Sequence, residues 1–211
     1  MGNCVIFCAG NFTQLLAPFT EEDYVIAADG GFAHTRELGI TPNETLGDFD
    51  SLGYAPREST RFPVEKDDTD TMLAVRRGLE LGYRNFFFYG GLEGPRLDHT
   101  LANLQTLLYL KKMGAEGYFV GKNQVVTAMS REKLRFSSAC TGIISLFCLS
   151  GQTENVQIKG LQYPLQNGAL TSDFPLGISN HFVGQTGEIS ATGELIVFFD
   201  RGNPLPERIK L

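Results

Sequence analysis

Two aspartates one residue apart, Asp48 and Asp50, lie in the segment LGDFDSL over residues 46–52. This segment shows the hydrophobic period of neither a helix nor a strand. An isolated D-x-D pair is compatible with a solvated turn or with a metal site. Mg²⁺ is commonly held by one or two carboxylates together with substrate phosphates, so the rest of the chain has to decide between these interpretations.

A second acidic run, KDDTDT over residues 66–71, precedes a predicted helix. Acidic residues in a first helical turn are favoured by the helix dipole, and Thr or Asp can cap the helix. A cap needs only one such residue, however, and the neighbouring carboxylates repel one another unless a divalent cation is present. Asp67 and Asp68 are therefore either ligands or capping residues.

Glycine-rich segments follow two predicted strands, at residues 29–31 and 90–98. Ligands of open parallel sheets bind beyond the carboxyl ends of the strands, and glycine lets the backbone approach them closely. Each segment alone is equally compatible with a simple strand-to-helix turn. Six aspartates nevertheless fall after strands or at helix starts, namely Asp29, Asp48, Asp50, Asp67, Asp70 and Asp98.

The chemistry that this set indicates is Mg²⁺-dependent phosphoryl or pyrophosphoryl transfer, in which positioning and charge neutralisation supply most of the catalysis. Arg96 is suited to neutralising phosphate charge. The chain has no G-x-x-x-x-G-K-[ST] motif, so a nucleotide would not be held by a Walker loop.

The elements that would position these residues alternate between strand and helix over the first 120 residues. Strands are predicted at residues 4–9, 24–28, 61–64, 85–89 and 118–120, and helices at 32–38, 69–81 and 98–113. Leu101, Leu104, Gln105, Leu108 and Lys112 mark the turns of the last helix. Such alternation predicts an α/β domain with a mostly parallel, Rossmann-like sheet.

The helical period disappears after about residue 124. Short β-rich runs at 124–128, 142–149, 156–158 and 195–199 are separated by Gly, Asn, Ser and Thr. They are typical of a small antiparallel sandwich or barrel. We therefore predict an α/β domain over residues 1–124 and an all-β sandwich over residues 125–211.

Composition narrows the possible partners and location. The 211 residues carry a net charge of −6, which argues against a nucleic-acid partner. No apolar run reaches the roughly 20 residues of a membrane span. Cys4, Cys8, Cys140 and Cys148 lie in apolar runs without a C-x-x-C motif. We expect buried, reduced thiols in a cytoplasmic protein.

Taken in order along the chain, six motifs resemble those of bacterial thiamine pyrophosphokinases. They are DGG (29–31), GDFDS (47–51), KDDTD (66–70), GPRLDHTLAN (94–103), GLQYPL (160–165) and GISN (177–180). Each motif alone is weak, but the ordered set from about residue 27 to 200 is specific. In GLQYPL, Tyr163 stands where the family usually has Trp. Leu73 stands where animal members carry Lys.

The resemblance implies transfer of the terminal diphosphate of ATP to the hydroxyethyl oxygen of thiamine, giving thiamine diphosphate and AMP. It further implies that the N-terminal domain holds ATP and Mg²⁺, and that the β-sandwich helps to bind thiamine. It also implies a homodimer with sites at the subunit interface.

The resemblance also assigns roles to individual residues. Asp48, Asp50 and Asp70 would bind Mg²⁺ and the phosphates. The nucleotide and its phosphates would contact Asp29, Gly30, Gly31, Lys66, Thr69 and Arg96. Asp98 would lie near the attacking hydroxyl as an orienter or a base, so the catalytic set is Asp70, Arg96 and Asp98. Thiamine would contact Asp98, Tyr163, Ser179 and Asn180.

The histidines receive no primary role. We expect a structural or secondary binding role for His99, and ordinary surface or core positions for His34 and His181.

Two other functions remain as alternatives. A D-x-D phosphatase with an aspartyl nucleophile normally has its motif directly after an apolar strand near the N-terminus, and we do not predict a strand at residues 41–47. A thiamine-binding or nucleotide-sensing module without turnover would be expected to lose part of the acidic set, which is intact here.

Overall fold

The fold is described from a computed structural model, for residues 2–49, 53–54, 56, 59–61 and 68–211, without the side chain of Arg61. The chain divides into two compact units, Met1–Lys122 and Asn123–Leu211. Within the described residues, the helices are too short or too polar to span a membrane.

The described residues of the first unit form six strands and three helices. The strands are β1 (Cys4–Phe7), β2 (Tyr24–Ala28), β3 (Glu44–Gly47), β4 (Thr60–Arg61), β5 (Asn85–Tyr89) and β6 (Glu116–Val120), and the helices are α1 (Gly31–Glu37), α2 (Asp70–Glu80) and α3 (Leu97–Lys112). The strand order is β6-β5-β1-β2-β3-β4, and each pairing among these strands is parallel. The carboxyl ends of these strands therefore meet at one edge of the sheet.

The core of this unit is built on aromatic and aliphatic strand residues. Strand β1 is buried along its whole length, which is the pattern of a parallel strand covered on both faces. The rings of Phe88 and Phe119 stack with centroids 4.2 Å apart on neighbouring strands.

Burial raises the pKa of Cys4 to about 12 and that of Cys8 to about 11, so both thiols stay protonated. All four cysteines are buried and free, as predicted.

Helix α2 agrees with the sequence prediction to within a residue at each end. Thr69 is its N-cap, since its Oγ1 accepts a hydrogen bond from the amide of Met72 at 3.2 Å.

Helix α3 also forms where predicted, but it packs on a different face from the one that the leucines suggest. Its buried residues are Asn103, Thr106, Leu107 and Leu110, while Leu101 is exposed. Leucines lie on several sides of this helix, so hydrophobic periodicity alone does not identify the packed face.

One expectation about the D-x-D segment is wrong. Residues 44–47 form β3, a strand that was not predicted, because a four-residue strand with one aliphatic side chain carries little periodic signal. Its pairing with β2 and β4 supplies the stabilisation instead. Phe49 has φ +62°, and its side chain is buried. Asp50 lies outside the described residues.

The second unit is formed by β7 (Gln124–Phe136), β8 (Ile143–Phe147), β9 (Gln152–Lys159), β10 (Leu165–Thr171), β11 (Asn180–His181), β12 (Gly187–Asp200) and β13 (Glu207–Lys210). Their pairings are antiparallel, and the described residues of this unit contain no helix. A register shift between Ala191 and Glu194 divides β12. Its first half pairs with β9 and its second half with β8, so one strand joins two sets of partners.

A buried ion pair attaches the last strand to β7. The Arg208 guanidinium lies 2.8 Å from Oε1 of Glu132, and it also donates to the carbonyl of Ala128 and the hydroxyl of Thr127. The Glu132 side chain is 6% exposed and that of Arg208 is 14% exposed. Each charge is therefore compensated where little water reaches it.

Replacing Arg208 with Met should destabilise the protein by about 3–5 kcal/mol, because the Glu132 carboxylate would remain buried without its partner. Urea unfolding would measure the change. The double variant Arg208→Met, Glu132→Leu should recover much of the loss, since no buried charge remains.

The matched control is Glu207→Gln on the same strand. Glu207 pairs with Arg135 at 3.3 Å, but both side chains are well exposed, so little stability should be lost. An equal loss in Glu207→Gln and Arg208→Met would contradict the assignment.

Candidate active site

Three aspartates meet at the carboxyl edge of the parallel sheet. Asp29 follows β2, Asp48 follows β3, and Asp70 begins α2. Each offers a carboxylate oxygen, and these oxygens all lie within 4.8 Å of one another. Like charges at this spacing repel, and hard oxygen donors are the ligands that Mg²⁺ prefers. The arrangement therefore fits a divalent cation.

Glycine at position 47 allows Asp48 to come close to Asp29. Gly47 has φ +147°, and a Cβ at this position would lie 3.0 Å from the Cα of Asp29. The amide of Asp29 donates to the carbonyl of Leu46 at 2.8 Å, which ties the two strand ends together. Asp29 itself adopts φ +49°, a left-handed conformation that Asp tolerates better than most residues.

A cavity of about 580 Å³ opens beside the three carboxylates, within the first unit. Its described lining comes from the loops after β1, β2, β3 and β5 and from the starts of α2 and α3. The lining residues are Cys8, Ala9, Gly10, Ala28, Asp29, Asp48, Asp68, Thr69, Asp70, Thr71, Gly90, Gly91, Gly94, Pro95, Arg96, His99, Thr100 and Asn103. The size suits a nucleotide-sized ligand.

Three side chains hold the carbonyl groups of the glycine-rich loops. Nδ2 of Asn103 donates to the carbonyl of Gly91 at 2.7 Å, and the Thr100 hydroxyl donates to that of Leu92 at 3.1 Å. Nε2 of His34 lies 2.7 Å from the carbonyl of Gly10. The amide of Gly10 donates in turn to the carbonyl of Gly90, so the loops after β1 and β5 form one hydrogen-bonded rim.

Arg96 and Asp98 form an exposed ion pair at the start of α3. Nη2 of Arg96 lies 2.6 Å from Oδ2 of Asp98. The hydrogen bond from Arg96 is the main cause that lowers the pKa of Asp98. While this pair is intact, the Asp98 carboxylate is therefore a weaker base than an unpaired aspartate.

The described residues of the acidic run before α2 make different contacts. Thr69 caps the helix, so no carboxylate is needed as a cap. Asp68 pairs with Arg76 at 3.2 Å, and Asp70 belongs to the three-aspartate cluster. The predicted phosphate contact Lys66 and the ambiguous Asp67 lie outside the described residues, as does the predicted metal ligand Asp50.

The glycines of the DGG motif have a packing role. A Cβ at Gly31 would lie 1.9 Å from the carbonyl oxygen of Phe7, so glycine lets α1 approach β1. Gly30 is the N-cap of α1. Among the described lining residues of the cavity, Asp29 is present and these two glycines are absent. Their contact with a nucleotide stays a prediction.

Of the four residues predicted to contact thiamine, Asp98 lies in the first unit, and the other three, Tyr163, Ser179 and Asn180, lie in the second. The side chains of Tyr163 and Ser179 are exposed, and Ser179 has φ +58°. The side chain of Asn180 is buried and bonds to the backbone of Tyr163.

A parallel sheet with carboxylates and glycine-rich loops at its strand ends is typical of enzymes that act on phosphate-containing substrates. Comparison with known proteins identifies the family. Residues 16–119 match the family model "Thiamin pyrophosphokinase, catalytic domain", and residues 132–196 match "Thiamin pyrophosphokinase, vitamin B1 binding domain". The chain belongs to the thiamine pyrophosphokinase family.

Individual relatives agree with this assignment. The chain is 30% identical over 198 residues to the thiamine pyrophosphokinase of Bacillus subtilis, covering 89% of this chain and 92% of that protein. A crystal structure of thiamine pyrophosphokinase from Bacillus subtilis superposes with a TM-score of 0.83 at 26% identity, covering 94% of this chain and 98% of that one. The enzyme from Candida albicans shares the fold, with a TM-score of 0.76 at 14% identity and coverage of 94% and 88%.

Sequence reasoning missed the residues that support the rim of the cavity. Thr100 and Asn103 belong to the motif GPRLDHTLAN (94–103), but the sequence assigns them no function. His34 is expected to be an ordinary surface or core histidine. The signal that could have found Asn103 and Thr100 is their spacing. They lie three residues apart on α3, so both can reach the loop that precedes the helix.

Mg²⁺ should stabilise the protein through the three-aspartate cluster. Saturation at about 100 times the dissociation constant corresponds to about 2.7 kcal/mol, and the melting temperature should rise by about 2–4 °C per kcal/mol. The variant Asp48→Asn should melt higher than the parent protein without Mg²⁺, because one repulsive charge is removed, and should gain less from added Mg²⁺.

The control is Glu37→Gln, which removes an exposed carboxylate from α1 of the same unit. It should keep the full response to Mg²⁺. An unchanged Mg²⁺ response in Asp48→Asn, measured by differential scanning fluorimetry, would rule out this cluster as the cation site.

Asn103 should support nucleotide binding by holding the loop after β5. Asn103→Ala removes the donor to the Gly91 carbonyl, whereas Asn103→Asp keeps the size and also removes the donor. Both should raise the KM for the nucleotide, while Thr106→Ala on the same buried face of α3 should leave it unchanged. Equal KM values for all three variants in steady-state kinetics would contradict the role.

Proposed function

We propose that the protein transfers the terminal diphosphate of ATP to the hydroxyethyl oxygen of thiamine, releasing AMP. Membership of the thiamine pyrophosphokinase family supports this reaction. The observation that carries the proposal is the cluster of Asp29, Asp48 and Asp70 at a cavity of about 580 Å³. This cluster lies inside the segment that matches the catalytic-domain model.

Asp29, Asp48 and Asp70 would hold Mg²⁺, with Asp50 as a further ligand. The cation would neutralise charge on the transferred diphosphate and on the departing AMP. The sequence prediction named Asp48, Asp50 and Asp70 as ligands and set Asp29 beside them. The spacing of the oxygens favours including Asp29 among the ligands.

Arg96 would bind the phosphates, helped by Thr69 and Lys66, with Gly30 and Gly31 close to the nucleotide. Arg96 and Thr69 line the cavity. Arg96 presents a planar set of donors that matches phosphate oxygens. Because phosphate would compete with Asp98 for this guanidinium, the ion pair would open when nucleotide binds.

Asp98 would then be released to orient the attacking hydroxyl. An alcohol nucleophile gains most of its rate from alignment with the phosphorus atom. Once released, its carboxylate oxygens would be available to accept a hydrogen bond from that hydroxyl.

Thiamine would contact Tyr163 and Ser179 in the second unit. The thiazolium ring is a cation, and an exposed phenol ring offers the aromatic face that attracts it. The second unit would be a β-sandwich that binds thiamine, and the first a Rossmann-like domain that binds ATP. His99 lines the cavity and would have a secondary binding role.

The protein would act as a homodimer in the cytoplasm. Exposed apolar side chains in the second unit, Phe174, Leu176 and Ile178, are candidates for subunit contacts.

The rival functions are less well supported. The strand β3 directly before Asp48 removes the topological argument against a D-x-D phosphatase. Family membership still favours the diphosphotransferase. A sensor without turnover would not need three carboxylates gathered at the cavity.

Incubation with ATP, Mg²⁺ and thiamine should produce AMP and thiamine diphosphate in equal amounts. Chromatographic separation of the products identifies the reaction. ADP with thiamine monophosphate would indicate a monophosphate kinase, and binding of both ligands without AMP would indicate a sensor. A phosphoenzyme on Asp48 would indicate the phosphatase.

Asp48→Asn should lower kcat by about 100-fold or more, because charge stabilisation in the transition state is lost. Glu37→Gln should retain full activity. Near-normal turnover in a folded Asp48→Asn protein would defeat the assignment of this carboxylate to the catalytic site.

A further inference from the structure

The side chain of Asn180 is bonded on both sides to the backbone of Tyr163. The amide of Tyr163 donates to Oδ1 of Asn180 at 3.0 Å, and Nδ2 of Asn180 donates to the carbonyl of Tyr163 at 2.7 Å. The amide of His181 also donates to the same Oδ1, at 2.9 Å. Asn180 is 6% exposed, whereas Tyr163 is 58% exposed.

These bonds use most of the hydrogen-bonding capacity of Asn180. A carboxamide has two acceptor lone pairs and two N–H donors. Both lone pairs and one N–H are engaged with the backbone, and the side chain is almost inaccessible to solvent. Little of it remains to recognise a ligand directly.

We propose that Asn180 is a positioning residue that acts on thiamine through Tyr163 and does not contact thiamine itself. The inference deepens the proposed function and rests on it. It replaces the direct thiamine contact that the family resemblance assigns to Asn180.

The backbone around Tyr163 is fixed at three successive residues. Leu161 forms a bridge with Phe182, and the amide of Gln162 donates to the carbonyl of His181 at 3.0 Å. The third residue, Tyr163, is held by the two hydrogen bonds between its backbone and the side chain of Asn180. An exposed ring on a fixed backbone loses less conformational entropy when it stacks on a ligand, so the position of the backbone contributes to affinity.

The neighbouring residue Ser179 shows the same division between buried support and exposed contact. The amide of Ser179 donates to Oγ of Ser145 at 3.0 Å, and Ser145 is buried. Ser179 is itself exposed and held at φ +58°. In the segment 179–180, one side chain thus faces solvent while the next bonds to backbone.

A double-mutant cycle separates positioning from direct contact. Thiamine affinity would be measured by calorimetry for the parent protein, Asn180→Ala, Tyr163→Ala and the double variant. Loss of the aromatic contact should weaken binding by roughly 3- to 30-fold. Asn180→Ala should weaken it within the same range in the parent, and should have no further effect when Tyr163 is already Ala. Additive losses would overturn the proposal.

The variant Asn180→Asp gives an independent test. It keeps Oδ1 for the two amides but replaces the donor to the Tyr163 carbonyl with a second oxygen. If residue 180 contacts the thiamine cation directly, the added negative charge should make the variant protein bind thiamine more tightly. If the residue only positions Tyr163, the variant should bind thiamine more weakly, because the bond to the Tyr163 carbonyl is lost. Tighter binding by this variant would also overturn the proposal.

Asn203 supplies a matched structural control. Its side chain is buried and bonds to both the amide and the carbonyl of Thr141, each at 2.8 Å. Asn203→Ala therefore removes the same pair of bonds elsewhere in the second unit. It should lower the melting temperature as Asn180→Ala does, yet leave thiamine affinity unchanged. A loss of affinity as large as that of Asn180→Ala would overturn the proposal, because the loss would then follow from reduced stability and not from the position of Tyr163.

The binding measurements also distinguish failure of the inference from failure of the proposed function. If the parent protein binds no thiamine, both are overturned. If it binds thiamine but releases no AMP from ATP, the proposed function fails, and the cycle still decides the role of Asn180. If it releases AMP and the cycle is additive, only the inference fails.

Discussion

Electrostatic repulsion among three aspartates is the constraint on which the candidate active site depends. Carboxylate oxygens of Asp29, Asp48 and Asp70 lie within 4.8 Å of one another at the edge of the sheet. A protein gains no stability from such an arrangement by itself, because like charges disfavour one another. The fold therefore supplies rigid backbone on each side, through the strand ends of β2 and β3 and the capped start of α2.

The three aspartates are positioned mostly by backbone segments that pack closely together. Close packing of backbone requires residues without a side chain, which explains the glycines near the cluster. Gly47 permits the approach of Asp48 to Asp29, and Gly31 permits the approach of α1 to β1. The glycine-rich loops at the cavity are held instead by side chains from helices, namely His34, Thr100 and Asn103. Close packing and side-chain bonds thus fix loops that would otherwise be conformationally free.

The sequence predicts the helices and the strongly apolar strands of the first unit well, but it identifies only part of the long strands β7 and β12 and misses β10. The bounds of β2 and β5 agree with prediction because most of their residues are aromatic, aliphatic or β-branched. Strand β3 was not predicted because its pairing with β2 and β4, and not its composition, makes this segment a strand. The short strands β11 and β13 were missed for the same reason. The aspartates were recognised from type and spacing, whereas the role of Asn103 depends on a buried hydrogen bond whose only trace in the sequence is its spacing from Thr100.

Asn180 illustrates a limit of carrying a role from a motif to a residue. The adjacent Ser179 and Asn180 belong to one motif, yet one is exposed and the other is almost fully buried. A motif records which residues are needed together and does not separate contact from support. Burial and existing hydrogen bonds distinguish a residue that contacts a ligand from one that supports such a residue. A side chain whose donors and acceptors are already paired must break those bonds before it can bind a ligand. The cost of that exchange favours support as the role of Asn180.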